Sequence, residues 1–225
     1  HGRRLVAGMN RLNDHNRRLL GSFQDFTRKG GGMPMRTYQL APARAILESI
    51  RLGLGLDFVV IMPRHAGKDE MLAHLKAYLM RVMWRRDRCM VEVNPTYKPQ
   101  TINAIMRLEN RLDANLLTRG QWKKRSDFFR MIGTCRTAFY SGDGQANVVG
   151  ATADLCLIIN EAQDILPSVY AKSFAPMASS RAATRIFCGT VWTSSTLLAQ
   201  MLRACREAEK IDGLRRVFLY TAEDV

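Results

Sequence analysis

Short apolar runs alternate along the chain with stretches in which apolar residues recur at helical spacing. The apolar runs predict strands, with a pair of short strands in the third run, at 57–63, 89–95, 128–142, 155–160, 184–191 and 215–221. The helical spacing predicts helices at 38–53, 67–84, 98–117 and 195–210. Alternation of strands and helices favours parallel strands that helices cover on both faces. The pattern therefore predicts an α/β fold with a mostly parallel sheet.

The first 35 residues differ in character from the rest of the chain. Residues 1–29 are rich in Arg, with scattered apolar positions that fit one or two helices, and KGGGMP at 29–34 has the composition of a flexible joint. The length of the chain is enough for one large α/β domain or two small ones, and the continuous alternation of strands and helices favours the first. We therefore expect a basic N-terminal helical segment at 1–35 and one domain at 36–225.

Composition narrows the class of protein. Apolar residues make up 47% of the 225 positions, enough to bury a sizeable core. No apolar run approaches the roughly 20 residues of a membrane span, and the N-terminus is too charged for a secretory signal, so we expect no membrane association. The five cysteines form no Cys-x-x-Cys pair, and no histidine lies at metal-ligand spacing from them. This predicts buried, reduced thiols in a cytosolic environment and no zinc site.

The charge balance predicts a polyanionic partner, since the net charge is +14 and the pI is about 10.1. Much of the positive charge lies in two clusters, which are Arg81, Arg85, Arg86 and Arg88, and the segment 119–130 with its aromatic residues Trp122, Phe128 and Phe129. These cations would contact DNA backbone phosphates without recognising sequence, with binding that weakens steeply as salt rises. The alternative is a solvated basic surface. For the two phenylalanines we favour packing in the core.

A Gly-Lys turn follows the first predicted strand, in the stretch FVVIMPRHAGKDE at 58–70. The phosphate-binding pattern G-x-x-x-x-G-K-[ST] surrounds phosphates with backbone N–H groups at a helix N-terminus, and its Lys neutralises them. Gly67 and Lys68 fit that pattern, but Met62 stands in place of the first glycine and Asp69 in place of Ser or Thr. Taken alone, the stretch also fits an ordinary strand-to-helix turn.

A second predicted strand, in LCLIINEAQDI at 155–165, ends at Asn160 and Glu161. Polar groups at the carboxyl end of a buried strand, in the same sheet as a phosphate loop, are where such enzymes hold magnesium and water. Glu161 would orient or deprotonate the attacking water. The alternative is a helix N-terminus, with Asn160 as its cap. Both elements together favour the nucleotide-binding interpretation.

Five segments, in this order, resemble one protein family. They are YQLAPARAI (38–46), MPRHAGKDE (62–70), NPTYKPQT (94–101), GATADLCLIINEAQDI (150–165) and IFCGTV (186–191). From about residue 36 to 200 the chain resembles the ATPase domain of the large terminase subunit of tailed bacteriophages, the viral DNA-packaging motor. The resemblance implies a P-loop NTPase fold of the RecA/ASCE type.

The resemblance also implies roles for individual residues. Gln39 would contact adenine. Arg64 and Lys68 would bind the β- and γ-phosphates. Glu161 would be the catalytic carboxylate, and Gly189 and Thr190 would sense the γ-phosphate and couple it to the surface that holds DNA. The phosphate loop as a whole would contribute Pro63, Arg64, His65, Ala66, Gly67, Lys68, Asp69 and Glu70 to the binding of ATP, with Glu161, Arg64 and Thr190 acting in catalysis.

The chain departs from the family pattern at the magnesium site. The family usually has Asp at position 160 and Ser or Thr at position 69, whereas this chain has Asn160 and Asp69. Both positions would face one Mg²⁺, so the carboxylate has changed place. Our hypothesis is that Asp69 is a direct or water-mediated ligand of Mg²⁺ and Asn160 a neutral orienting group. The competing hypothesis is that Asn160 leaves a site that binds nucleotide and turns over slowly.

A third departure concerns the arginine that a neighbouring subunit often inserts into the active site of such motors. In this chain Val149 occupies that position. Arg125, Arg130 and Arg136 are alternative candidates, and the sequence does not rank them.

The function that follows from the resemblance is an ATP-hydrolysing, Mg²⁺-dependent motor that translocates double-stranded viral DNA into a procapsid. It implies a portal protein and a small terminase subunit as partners, a homo-oligomeric ring when active with a monomer in isolation, and a location in the host cytoplasm, docked transiently on the procapsid. We expect the C-terminal nuclease domain to be absent. The alternatives are a helicase-like or other DNA-dependent P-loop ATPase, and a DNA-binding module with an impaired nucleotide site.

Overall fold

One sheet organises the computed structural model, which describes residue 14 and residues 16–143, 152–179, 181–190 and 193–225. Within these residues the sheet has eight strands, β1 (Asp57–Ile61), β2 (Cys89–Asn94), β3 (Trp122–Ser126), β4 (Phe129–Ile132), β5 (Cys135–Ser141), β6 (Cys156–Ile159), β7 (Thr184–Gly189) and β8 (Val217–Leu219). Their order is β3-β4-β5-β2-β6-β7-β1-β8. The six strands from β5 to β8 in that order are parallel, and β4 pairs antiparallel with β3 and β5. The predicted α/β fold with a mostly parallel sheet is confirmed.

Four longer helices cover the sheet, and they are α1 (Thr37–Leu52), α2 (Lys68–Val82), α3 (Ile102–Ala114) and α4 (Leu197–Asp212). Shorter helical turns span Phe23–Asp25, Phe26–Gly30, Tyr97–Thr101, Ala162–Asp164, Pro167–Val169, Tyr170–Phe174, Ala175–Ser179 and Ala222–Asp224. Alternate side chains of β1 face opposite ways, as a pleated strand requires. Phe58 and Val60 join the core under α1, α2 and α3. Val59 and Ile61 join the core under α4 and the turns at 170–178.

The basic segment 119–130 contains a strand that the sequence does not predict, and it places Phe128 at the surface. It contains β3, a strand that the apolar pattern does not predict, because four of its five residues are exposed and three of those are Lys or Arg. Phe128 is not in the core, since 41% of its surface is exposed and its ring contacts Tyr97 with centroids 5.6 Å apart. The prediction of core packing for Phe128 is therefore wrong, because the turn between β3 and β4 carries it to the surface.

All five cysteines are buried and free. No helix in the described ranges is both long and apolar enough to cross a membrane. Two expectations lie outside the described residues, namely the helices of residues 1–13 and the environment of Val149.

Candidate nucleotide-binding site

The site lies at one edge of the sheet. Strands β1, β6 and β7 are parallel neighbours, so their carboxyl ends meet at the same edge. A cavity of about 490 Å³ opens there. Its lining residues are Pro63, Arg64, His65, Ala66, Gly67, Lys68, Asp69, Glu70, Arg107, Glu161 and Thr190. The whole predicted loop therefore lines one cavity together with Glu161 and Thr190, whereas Gln39 and Asn160 lie behind its wall.

Lys68 is the first residue of α2, and its side chain is only 8% exposed. Its ammonium Nζ donates to Asn160 Oδ1 at 2.7 Å and to Glu161 Oε1 at 2.5 Å, and Asp69 Oδ1 lies 3.6 Å away. Burial alone would lower the pKa of Lys68, but the carboxylates of Asp69 and Glu161 raise it above its ordinary value. The lysine is thus a fixed positive charge, held at the cavity wall by two oxygen acceptors and by the nearby carboxylate of Asp69.

Asn160 and Asp69 are adjacent, as the exchange hypothesis requires. Asn160 Nδ2 donates to Asp69 Oδ1 at 3.0 Å and to Asn94 Oδ1 at 3.1 Å. Burial would raise the pKa of Asp69, but Lys68 and the hydrogen bond from Asn160 hold it below its ordinary value. Asp69 is therefore an ionised carboxylate that accepts a hydrogen bond from Asn160.

The donor chemistry of this corner suits Mg²⁺. Magnesium is usually bound through one or two carboxylates together with substrate phosphates and several waters. Asp69 supplies one such carboxylate, and 44% of its side chain is exposed. No cluster of three or more His, Cys, Asp or Glu that would hold a metal by protein ligands alone occurs in the part of the chain that the structure describes. The residues thus fit an ion that arrives with a triphosphate.

Glu161 is held in an uncommon backbone conformation. Its φ of 48° and ψ of 49° lie in the left-handed region, which non-glycine residues rarely adopt and which often marks functional sites. While Lys68 binds Oε1, the carboxamide Nε2 of Gln163 donates to Oε2 at 2.7 Å. Both carboxylate oxygens are therefore engaged by side chains of the protein.

Gln39 lies behind the loop and supports it. Its Nε2 donates to the carbonyls of Ala66 and Gly67 at 3.1 and 3.0 Å, and its Oε1 accepts from Arg36 N at 3.0 Å. Gly67 has a φ of 79°, and a Cβ there would collide with Gln39 Nε2. Gln39 therefore fixes the shape of the phosphate loop. An adenine contact by Gln39 stays a prediction, and it would compete with these bonds.

Two of the predicted residues differ in how tightly they are held. Arg64 is exposed at the cavity mouth. Glu70, by contrast, is engaged by α3, because Arg107 donates to its Oε2 at 3.2 Å and Arg111 Nε lies 3.1 Å from its Oε1. Sequence analysis missed Arg107, which brings a cation of α3 to the cavity wall. Its position one turn before Arg111 on a polar helix face does not distinguish it from a solvated arginine.

The three alternative arginines are separated by burial. Arg130 is 3% exposed, and its guanidinium is bonded to Glu109 Oε1 at 2.5 Å and to three backbone carbonyls. Arg136 lies beside Cys89 near the start of β5, away from the cavity, and pairs with Asp87. Arg130 and Arg136 are thus held by acceptors of this chain, whereas Arg125 on β3 is exposed.

The end of α2 and the start of β3, which carry parts of the two basic clusters, lie beside the β4–β5 turn and away from the cavity. Thr134 N donates to the carbonyl of Trp84 at 2.8 Å, which joins the β4–β5 turn to the end of α2. The Trp84 ring is half-exposed, with the guanidinium carbons of Arg81 and Arg85 5.6 and 4.6 Å from its centroid. Beside this turn, Trp122 at the start of β3 pairs with Ile132. Arg85 and Arg86 after α2 and Lys123 and Lys124 on β3 are exposed basic residues next to these contacts, and together they are called the basic surface.

Comparison with known proteins gives structural matches alone. No protein-family model and no curated protein sequence matches the chain. The large terminase ATPase domain of Thermus phage P74-26 matches with a TM-score of 0.58 and 19% identity, over 73% of this chain and 68% of that one. The large terminase of bacteriophage HK97 matches with a TM-score of 0.72 and 13% identity, over 90% of this chain and 43% of that one. The large terminase of a thermophilic bacteriophage, in complex with ADP, matches with a TM-score of 0.59 and 15% identity, over 85% of this chain and 46% of that one.

These matches establish the fold. The chain has the P-loop NTPase fold of terminase ATPase domains, as the resemblance in sequence implied. It spans less than half of the HK97 terminase and of the ADP-bound terminase that it matches.

Proposed function

We propose that this chain is the ATP-hydrolysing motor domain of a terminase-like machine that translocates double-stranded viral DNA into a procapsid. One observation carries the proposal. The ammonium of Lys68 and the carboxylate of Glu161 follow different strands, β1 and β6. They approach to 2.5 Å at the wall of a cavity lined by a phosphate loop. That is the pair that phosphoryl transfer to water requires, one group for the phosphates and one for the water.

The polar contacts around Lys68 suggest how nucleotide binding would prepare the site. Lys68 donates to two oxygen acceptors of the protein and forms an ion pair with Asp69, and the β- and γ-phosphates of ATP would take over these contacts. Glu161 Oε1 would then be free to accept a hydrogen bond from the attacking water and to orient it. Arg64 and Arg107 add positive charge at the cavity wall, where charge on the transferred phosphoryl group would be stabilised.

Magnesium would be held at Asp69, with Asn160 as its neutral neighbour. Bound there with the triphosphate, Mg²⁺ supplies charge neutralisation of the phosphate oxygens. Lys68 keeps the Asp69 carboxylate ionised, and Asn160 keeps it oriented through the 3.0 Å hydrogen bond.

DNA binding is proposed for the basic surface at the opposite sheet edge. Its exposed cations would neutralise backbone phosphates, which binds duplex without regard to sequence. A portal protein, a small terminase subunit, a ring of copies of this chain and a location on the procapsid in the host cytoplasm belong to the same proposal. We also propose that Arg125 is the arginine that enters the active site of a neighbouring copy.

Turnover of ATP tests the proposal. We expect Mg²⁺-dependent phosphate release that duplex DNA stimulates, and a loss of about 10²- to 10⁴-fold in Glu161→Gln with nucleotide binding retained. Glu207→Gln is the matched control, since Glu207 lies exposed on α4 and pairs with Lys210, far from the cavity lining. Duplex binding without any turnover by the unaltered protein would contradict the motor and support a DNA-binding module.

The amide of Asn160 favours a second candidate, a site that binds ATP and turns it over slowly. Asn160→Asp separates the two. If Asp69 has taken over the metal, the added carboxylate crowds a site that already has one, and turnover should not rise. A rise of about tenfold or more would identify the natural residue as limiting.

A further inference from the structure

Gln163 lies between Glu161 and the end of β7, two parts of the site that the proposed reaction uses. It follows Glu161 by two residues in the helical turn Ala162–Asp164. Its Nε2 donates to Glu161 Oε2 at 2.7 Å and to Asp164 Oδ2 at 3.2 Å. Only the nitrogen of a carboxamide donates to carboxylates, so the chemistry fixes the orientation of this side chain.

The other end of the carboxamide rests on β7. Gln163 Oε1 is buried and has no hydrogen-bond partner among the described residues. It occupies the place that a Cβ on Gly189 would take, and Gln163 Cδ lies 3.2 Å from that position. A buried acceptor without a partner is uncommon in folded proteins. The contact explains why glycine stands at the end of β7, since any larger residue would displace Gln163.

We propose that Gln163 is a positioning residue that holds Glu161 for hydrolysis and ties its orientation to the end of β7. This inference rests on the proposed function. Thr190 follows Gly189 directly and lines the nucleotide cavity. A displacement of Thr190 by the γ-phosphate would move Gly189 against the carboxamide, and the carboxamide would move the carboxylate.

Gln163 becomes more important as nucleotide binds. In this structure Glu161 has two donors, Lys68 on Oε1 and Gln163 on Oε2. Once Lys68 turns to the phosphates, Gln163 is the donor that remains on the carboxylate. Its hydrogen bond then sets where the attacking water is held.

Replacement of Gln163 by Leu tests the positioning role. The variant keeps the volume and loses the donor, so we expect kcat to fall about 10- to 100-fold because a carboxylate shifted by about 1 Å holds the water poorly. The affinity for a non-hydrolysable ATP analogue should stay within about twofold, since Gln163 does not line the cavity. Gln200→Leu, on an exposed glutamine of α4 that donates to Ser195 O, is the matched control.

A pH profile separates positioning from a merely structural role. Gln163→Glu is isosteric but places a second carboxylate against Glu161, which raises the pKa of Glu161. We expect the acid limb of the kcat profile to move to higher pH in this variant, measured under conditions in which circular dichroism shows the variant to be folded. An unmoved limb, or a kcat for Gln163→Leu equal to that of the control, overturns the positioning role.

The link to β7 has its own test. Gly189→Ala should lower kcat by displacing the carboxamide. Part of that loss should disappear in a Gln163→Ala background, where the new methyl group meets only Leu198 Cδ2, at 2.8 Å, and that end of the leucine side chain has to shift. Additive losses would overturn the link. Absence of turnover in the unaltered protein would defeat the proposed function and this inference together, whereas normal turnover with insensitive Gln163 variants defeats this inference alone.

Discussion

Helix α2 carries two buried lysines whose surroundings differ. Lys68, at its start, donates hydrogen bonds to Asn160 and Glu161, forms an ion pair with Asp69 and borders the cavity. Lys76 lies eight residues on, about 12 Å along the helix, with a side chain 2% exposed and paired with Glu92, itself 1% exposed on β2. The Phe139 ring closes over Lys76 at 4.9 Å. Both lysines are buried and paired, so access to a cavity distinguishes the functional one.

The two lysines are nevertheless connected through side chains. Glu92 Oε1 accepts from Asn94 Nδ2 at 3.4 Å, and Asn94 Oδ1 accepts from Asn160, which in turn binds Lys68. A polar network therefore runs from the interior to the cavity wall. Fully paired networks of this kind hold their members in one arrangement. The buried pair thus supports the geometry of the site without taking part in its chemistry.

The largest effect is expected from breaking the interior pair. Lys76→Met leaves the Glu92 carboxylate buried and unpaired, which should lower the free energy of unfolding by roughly 3–5 kcal/mol. The double variant Lys76→Met, Glu92→Leu removes both charges and should regain most of that loss. Urea denaturation measures both. A single variant as stable as the unaltered protein would show that Glu92 is not held as a charge by Lys76.

Between the two lysines on α2 lies His74, a third buried basic side chain, whose nitrogens have no hydrogen-bond partner among the described residues. Its Nε2 lies 3.4 Å from Glu70 Oε1, but burial and the nearby Arg111 guanidinium prevail and lower the pKa of His74 to about 4. As pH falls from about 6.5 to 4 the unfolded chain takes up a proton that the folded protein does not, so stability should fall by about 3 kcal/mol.

The control for this pH dependence is His74→Leu, which carries no titrating group at this position. Urea midpoints measured across the same pH range should lose the contribution of His74 in the variant. Other groups affect both proteins alike, so the difference between the two curves isolates this side chain. If the urea midpoint depends on pH in the same way in both proteins, His74 takes up its proton in the folded state as readily as in the unfolded chain.

A smaller effect on stability, but a specific effect on binding, is expected for Lys68. Lys68→Met should weaken ATP-analogue binding by about 2 kcal/mol, or about 30-fold, because one charged hydrogen-bond donor to phosphate is lost. Its partners Asp69 and Glu161 are 44% and 25% exposed and are readily rehydrated, so the urea midpoint should change less than in Lys76→Met. Equal destabilisation by both variants would erase the contrast between the lysines.

The smallest effect is expected at Gln39, which supports the loop from behind. Gln39→Met should weaken ATP and GTP binding together, with the ratio of the two affinities changed by less than about 1 kcal/mol, since its bonds go to loop carbonyls. Competition titrations with both nucleotides measure that ratio. A selective loss of ATP binding would instead support the adenine contact that the resemblance implies.

Sequence patterns predicted those parts of the fold that repeat a signal over many residues. β1, β2, β6 and β7 are short apolar runs between turn residues, and α2 keeps helical spacing throughout, so each is confirmed with small shifts at its ends. β3 escaped prediction because its residues are charged and its pairing with β4 supplies the order that local composition does not.

The candidate site also has one part that the sequence predicts and another part that it does not. The loop and Glu161 follow from local motifs that a strand and a helix place at one sheet edge. Arg107 and the contact of Gln163 with Gly189 could not be predicted, because each depends on elements that approach only in the folded chain. Burial of Arg130 was likewise hidden, since its partner Glu109 lies on α3, 21 positions away in sequence.

The contacts of Lys68 with Asn160, Glu161 and Asp69 have a consequence for the release of product in the proposed reaction. In the proposed reaction a nucleotide would first have to draw the ammonium away from these oxygens, so part of the binding energy would be spent on that exchange. In the proposed reaction, departure of the γ-phosphate would let the same oxygens regain the lysine and would weaken the hold on ADP. We therefore expect these contacts to re-form by themselves after every cycle, with no outside help needed to recover the starting geometry.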